Sequence, residues 1–377
     1  MKKSDIKLNP IAAKIRFMWK HSTHPVFHMM HRLLESIRPA KILICENGDV
    51  RIAYVGNQKG ISHGFTFLSD QLEADAGPLN RSLKSVYPWR KQYWIQRLSA
   101  ETDMIMVGGS PGITATLAPD GYVMPMRVHY NVELNAETEP EKMLSKQTRK
   151  NYLRDLSRSG WDAELSRKEE DFWFFYEKMH LPTMQNRHGE QTRTDDLNVA
   201  FNELFRKGFV FFLTQNGVRN AGVVCREYSD RKVISMRLAG VLNADDAFYQ
   251  DGSFLALYVF LIRWAHENGY CRVELSGSEP FISKGLHQFK RTLGPSLMNA
   301  DNQYAPFVLG LRTNGTNPHI RSLLVRNPLI EFCEGNFSGP FRGVFFREEG
   351  SPAWKRGWKT VNLEKEYNVW LPVKDSK

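Results

Sequence analysis

The residues best able to do chemistry lie towards the C-terminal half of the chain. Tyr249-Gln250-Asp251-Gly252-Ser253 leads straight into an apolar helical run over 253–268. A helix start offers unpaired backbone N–H groups that receive phosphate, and a glycine there lets a ligand approach the backbone closely. Tyr249, Gln250, Gly252 and Ser253 are therefore candidates for holding a pyrophosphate-bearing carrier, while the Asp251 carboxylate repels one. The other reading of this stretch is an ordinary capped helix. Gly277 and Ser278 follow a short apolar strand, 271–275, whose end, if splayed, admits a carrier's arm; a plain turn is the alternative. His287 carries an imidazole suited to general-base work near neutral pH. Arg149, Lys150 and Arg154 sit on a basic helical stretch, 141–158. They suit an acidic acceptor, a donor phosphate or a nucleic-acid backbone, or else form a solvated charged face.

Two longer stretches resemble a known family. Lys146-Gln147-Thr148-Arg149-Lys150-Asn151-Tyr152 is one. The other is Val273-Glu274-Leu275-Ser276-Gly277-Ser278 followed by Gly285-Leu286-His287-Gln288-Phe289-Lys290-Arg291-Thr292-Leu293-Gly294. In this order and spacing they resemble the Fem-like (FemAB-type) group of the GNAT acyltransferase superfamily, over residues 145–300. The resemblance implies an α+β chain of the GNAT (acyl-CoA N-acyltransferase) fold with two GNAT-like halves in tandem. It implies an N-acyltransferase that moves an acyl group from acyl-CoA, as co-substrate, to an amine of a small molecule, a sugar, or a cell-envelope or exopolysaccharide precursor. A Fem-like enzyme using aminoacyl-tRNA is the alternative, and a GNAT-fold module that binds without reacting is a third reading. No permanently bound cofactor and no metal are expected.

Acyl transfer to an amine needs an unprotonated amine, a stabilised oxyanion and a proton for the leaving group. The resemblance assigns transition-state or leaving-group charge to Lys290, and the donor side to Phe289 beside it. Glu274 stands where the family carries an aspartate; it orients Lys290, takes the amine proton, or holds a loop N–H. His287 stands where the family carries an aromatic or polar residue.

Periodicity supplies the elements that must position these groups. A basic helical arm is expected over 1–38. Asn47-Gly48 marks a hairpin within 40–55. Residues 65–100 read as helix broken at Pro78 and Pro88, 103–107 as a strand, and 121–134 as one alternating strand. The polar 135–141 connector marks a domain boundary. After it come the basic helix, a strand over 161–165 and two helices parted by a polar loop, 186–194. An antiparallel meander follows, 209–214, 221–228 and 232–241, then the 253–268 helix, the 271–275 strand and a short helix over 286–293. The domains so read are an arm (1–38), a degenerate GNAT-like half (39–140), a catalytic half (141–310) and an aromatic, basic segment packing back on the body (311–377).

Composition narrows the partners. A net charge of +10 over 377 residues favours phosphate-bearing ones. The four cysteines, Cys45, Cys225, Cys271 and Cys333, form no CxxC pair, which argues against a zinc knuckle or redox motif. His21, His24, His28 and His31 fall at helical spacing, but Pro25 interrupts them and Glu35 is the one carboxylate nearby, so a metal array is not expected. Without a long apolar run or a signal segment the chain reads as cytoplasmic, with peripheral membrane contact through the arm and tRNA as open partners. Phe337, Phe341, Phe345, Phe346, Trp354, Lys355, Arg356, Trp358 and Lys359 interleave aromatic and basic residues, which suits either single-stranded nucleic acid or a segment wrapped on the core.

Overall fold

The computed structural model describes residues 8–114, 117, 121–137, 139–188, 196–333, 337, 339–348, 360 and 362–371. Trp354, Lys355, Arg356, Trp358 and Lys359, and residues 189–194 of the expected polar loop, lie outside the described residues.

The strands are β1 (Ala40–Glu46), β2 (Arg51–Gly56), β3 (Asn80–Val86), β4 (Met104–Gly109), β5 (Tyr122–Pro125), β6 (Val128–Glu133), β7 (Trp161–Ser166) and β8 (Gly208–Gln215). They continue as β9 (Val218–Tyr228), β10 (Val233–Val241), β11 (Arg272–Ser278), β12 (Ser296–Asn299), β13 (Val308–Thr313), β14 (Leu329–Phe332), β15 (Phe341–Arg347) and β16 (Leu363–Trp370). The helices used below are α1 (Pro10–His21), α2 (Pro25–Ile37), α3 (Lys91–Glu101), α4 (Lys146–Ser159), α5 (Ser253–Glu267) and α6 (Gly285–Arg291).

The chain forms two compact units, each discontinuous in sequence. The first comprises Met1–Lys20, Tyr130–Ser276 and Lys290–Ser296; the second comprises His21–His129, Gly277–Phe289 and Leu297–Lys377. The 135–141 connector thus falls inside the first unit, because β6 before it lies beside β11 in the same sheet.

The first unit is built on the sheet ordered β12-β6-β11-β10-β9-β8-β7. The meander reads directly from its turns: Asn216 and Gly217 take the positive φ that a tight turn demands. Phe172, Phe175, Met179, Phe201, Phe205 and Phe212 bury themselves in one cluster that also takes Ala13 and Phe17 of α1. Arg226 stacks on the Phe17 ring at 4.0 Å, and Asn9 and Asn198 exchange hydrogen bonds of 3.0 and 2.8 Å, so α1 docks on this unit. Ser145 caps α4 by accepting the Thr148 N–H at 3.3 Å, and Gly160 ends it at φ 59.

The second unit holds the sheet β3-β1-β2-β4-β13-β5 and the small sheet β14-β15-β16. Asn47 closes the β1–β2 turn, its Oδ1 accepting the Asp49 and Val50 N–H groups at 2.9 and 3.0 Å. Two expectations change here. The stretch read as broken helix contains β3, whose residues are exposed on both faces up to half-buried Val86 and so show no alternation to read. The single strand expected over 121–134 is two, β5 and β6, which belong to different sheets.

Each unit repeats one succession: an antiparallel pair, an intervening helix, and a strand that returns parallel to the second member. It is β9-β10, α5, β11 in the first unit and β1-β2, the helix Thr66–Ala76, β4 in the second, where β3 and α3 also intervene before β4. The fold is α+β, with this succession in both units.

Lys59 in the second unit gives a test of its packing. Its ammonium donates to the Gln303 carbonyl at 2.9 Å and lies 4.7 Å over the Phe307 ring. Burial brings its pKa down to about 8, against the opposing attraction of Glu35. A lysine whose folded pKa lies below its unfolded value costs stability while it is protonated, and the cost fades as pH rises. Lys59→Met should therefore be more stable than wild type below pH 8, by up to about 3 kcal/mol. The gap should close between about pH 8 and 10.5, checked by urea melts of both proteins across that range.

Candidate active site

Strands β10 and β11 begin as a parallel pair and then part. Their register runs Val233–Arg272, Ile234–Val273 and Ser235–Glu274 and ends there, although β10 continues to Val241 and β11 to Ser278. Two local features separate them. On β10, Met236 faces Cys225 and Leu238 faces Val224 of β9, so Arg237 is the extra residue of a bulge. A bulge bends its strand and re-aims the side chain there. On β11, Ser276 turns into the left-handed region at φ 59, and its Oγ donates to the Met236 carbonyl at 2.6 Å.

An opened strand edge needs other partners for its backbone. The Thr183 hydroxyl accepts the Val241 N–H at 3.1 Å, and His180 Nδ1 lies 3.3 Å from the Ala239 carbonyl. These side chains come from the π-helical turn Tyr176–His180 and the helix after it. Gly240 makes that approach possible: a Cβ there would stand 2.6 Å from the Met179 backbone.

The corresponding parallel pair of the second unit stays closed. Strands β2 and β4 remain in register from Ile52–Met104 to Gly56–Gly108, and the Asn57 N–H adds a bond of 3.2 Å to the Gly108 carbonyl. A Cβ on Gly56 would sit 2.1 Å from that carbonyl oxygen. Of these two corresponding pairs, the one in the first unit is open.

Lys290 is 3% exposed, and its ammonium lies 5.1 Å over the Tyr130 ring on β6. At one end of the neighbouring strands the Leu134 N–H donates to the Cys271 carbonyl at 2.8 Å. At the other, the Val128 carbonyl lies 2.8 Å from where Gly277 would carry a Cβ, so β6 runs antiparallel to β11. Four residues back along β6 and four forward along β11 bring Tyr130 level with Leu275. Tyr130, under the ammonium, therefore stands beside the residue before the Ser276 turn, on the strand next to β11.

Glu274 is the last paired residue of β11. It alternates with buried Val273 and Leu275, so its side chain leaves the face opposite Tyr130. Gly277, Ser278, His287 and Phe289 belong to the second unit. There the Gly277 carbonyl accepts from Arg127 at 2.8 Å, the buried Ser278 hydroxyl donates to the Glu279 carbonyl at 3.1 Å, and His287 is fully buried.

The expected pyrophosphate loop differs from expectation. Ala247–Gln250 is a helical turn, and Gly252 caps α5 at φ 90, with Trp161 3.4 Å and Asp155 3.5 Å from where its Cβ would stand. The Asp251 carboxylate accepts the Ser253 N–H at 2.7 Å and its hydroxyl at 3.0 Å. An internal anion already occupies this helix start, and a phosphate would have to displace it. The Tyr249 ring packs on Phe254 at 5.0 Å. On α4, Lys150 and Arg154 are exposed and Arg149 is half-buried, with Arg154 paired to Asp155 at 2.8 Å. Lys146, Lys150, Arg154 and Arg158 are all exposed and follow at four-residue steps, a basic row along one side of the helix.

Sequence reasoning gave no site role to Tyr130, His180 and Thr183 and read Ser276 only as part of the motif, because their parts depend on pairing across strands. Arg237 had a signal, being the one charged residue within the otherwise apolar β10. The histidines of the arm serve separately: His24 Nδ1 accepts the Val26 N–H at 3.3 Å, His28 bonds the Asp301 carbonyl at 3.0 Å, and His31 is buried.

No protein-family model matches the chain, and no curated protein matches it. Among solved structures, L-PGS from Bacillus licheniformis is similar at 13% identity, covering 85% of this chain and 98% of that one with a TM-score of 0.37. FemX is similar at 10% identity, covering 81% and 96%, with a TM-score of 0.37. A GCN5-related N-acetyltransferase from Kribbella flavida is similar at 14% identity, covering 78% and 95%, with a TM-score of 0.30. At these values the fold rests on the chain's own topology.

Proposed function

We propose that the chain is a transferase that moves an acyl or aminoacyl group from an activated carrier to an amine. The observation that carries this reading is the parting of β10 from β11 after Ser235–Glu274, with the buried Lys290 ammonium over Tyr130 of β6, the strand on the other side of β11. The opening receives the carrier's carbonyl. The amine attacks the carbonyl carbon, a C–N bond forms, and the C–S or C–O bond to the carrier breaks. The amine's proton goes to solvent or a base, and the leaving thiolate or alkoxide takes a proton in turn. Lys290 supplies positive charge where the oxyanion and the leaving group develop it. Arg237, re-aimed by the bulge, holds an anionic part of the donor.

Two donors fit this chemistry. Acyl-CoA fits the GNAT resemblance, but its pyrophosphate has to displace Asp251 at the α5 start. Aminoacyl-tRNA is favoured by the basic row on α4, which matches a repeating phosphate backbone. The acceptor is an amine of a small molecule, sugar or envelope precursor. The purified chain should be offered short- and long-chain acyl-CoA, and separately aminoacyl-tRNA, each with a panel of amines. Free thiol release or loss of the aminoacyl ester, dependent on the amine, supports the reading and names the donor. Binding without turnover of either donor would replace it with a non-catalytic module.

A further inference from the structure

Helix α2 is built inside out. Its polar side faces the second unit: His31 is buried, His28 bonds the Asp301 carbonyl, and Glu35 pairs with Lys91 of α3 at 3.4 Å. Its apolar side faces outward, with Met29 63%, Leu33 63% and Ile37 66% exposed. These positions recur at four-residue steps and form one stripe on a helix about 20 Å long.

The stripe continues into aromatic residues of the same unit. Ala40, three residues after Ile37, pairs with Val86 at the end of β3, so the chain leaving α2 runs beside Tyr87. Tyr87 is 63%, Trp89 75% and Tyr93 55% exposed, and the Tyr87 and Trp89 rings stack at 4.7 Å. The Glu35–Lys91 pair ties α2 to the helix that carries Tyr93. The charge around these groups is mainly positive, with Arg81 paired to Asp70 and Glu73 and Arg97 to Glu101. Residues 21–45 and 77–100 contain Arg32, Arg38, Lys41, Arg81, Lys84, Arg90, Lys91 and Arg97 against one carboxylate, Glu35, and that one faces the body.

We infer that this surface docks on an anionic lipid bilayer, with α2 lying in the plane of the interface. An outward apolar helix face, Trp and Tyr beside it and a surround rich in cations match the layered chemistry of that interface. Apolar side chains enter the acyl boundary, the aromatic rings sit at headgroup depth, and the cations meet lipid phosphates. The net positive surround favours a negatively charged partner over a second copy of this basic chain. Among the described residues no helix is long and apolar enough to cross a membrane, so the contact is peripheral.

Co-sedimentation with phosphatidylcholine vesicles, with and without a third phosphatidylglycerol, tests this on the full chain. Binding is expected only with the anionic lipid and should weaken with salt. The double variant Leu33→Glu/Ile37→Glu, and separately Trp89→Glu, should each weaken it at least tenfold while leaving the thermal melt unchanged, since all three side chains are exposed. The inference is overturned if the full chain does not bind anionic vesicles, or if it binds and these variants bind equally well. It is also overturned if light scattering shows a dimer that Leu33→Glu/Ile37→Glu dissolves, because a second copy would then cover the face.

Discussion

Lys290→Met is expected to fold as wild type does and to turn over about 100- to 1000-fold more slowly, the range seen when one oxyanion donor is removed. Methionine keeps the length and flexibility of the side chain over Tyr130 and removes only the charge. Urea melts of both proteins check that the fold survives, so that a loss of rate reports on chemistry. Steady-state kinetics separate the roles. Loss in kcat with KM little changed marks a group that acts in the transition state, whereas a rise in KM alone marks ground-state binding. Lys290→Arg should recover part of the rate, because charge returns in a bulkier planar form. Unchanged turnover in the methionine variant removes Lys290 from the chemistry.

Ser276→Val is expected to destabilise the fold by about 1–3 kcal/mol or more and to abolish turnover. Serine already bears the cost of the left-handed turn, to which a branched Cβ adds, and loss of the Oγ bond leaves the Met236 carbonyl without that donor, costing about 1–3 kcal/mol. Relief of that strain would let β11 straighten and pair further along β10, as β2 and β4 do. Ser276→Gly separates the two causes. Glycine accepts the left-handed turn and loses only the hydrogen bond, so it should keep the parting and a large share of the activity. Urea melts and turnover of both variants check this; a valine variant as stable and active as wild type would show that the turn does not hold the strands apart.

The sequence carried local structure well and long-range structure poorly. The Asn47-Gly48 hairpin, the meander and α5 were legible because their signals lie within a few residues: a turn dipeptide, period-two alternation, an apolar helical stripe. Strand β3 was hidden because an edge strand exposed on both faces has no alternation. Residues 121–134 alternate throughout, and nothing local told that Met126-Arg127 divides two sheets. The site shows the same division. Lys290 was found through its motif, but Tyr130 beneath it lies 160 residues away and reads only as an apolar strand position. Glu274 looked like its partner by spacing from the motif; strand alternation places it on the other face. Asp251 was legible as a repellent of phosphate, and the structure adds what it does instead, which is to hold Ser253. The Ser276 turn and the Arg237 bulge depend on which strands neighbour each other, and no single stretch of sequence states that.

The most direct test is a crystal structure with a non-hydrolysable donor analogue, a thioether of coenzyme A or an amide-linked aminoacyl-adenosine. The carbonyl mimic should lie between β10 and β11 beyond Ser235 and Glu274, with the Lys290 ammonium turned towards it. An analogue seated elsewhere on the chain, with the strands of the first unit closed to Val241, would contradict the account.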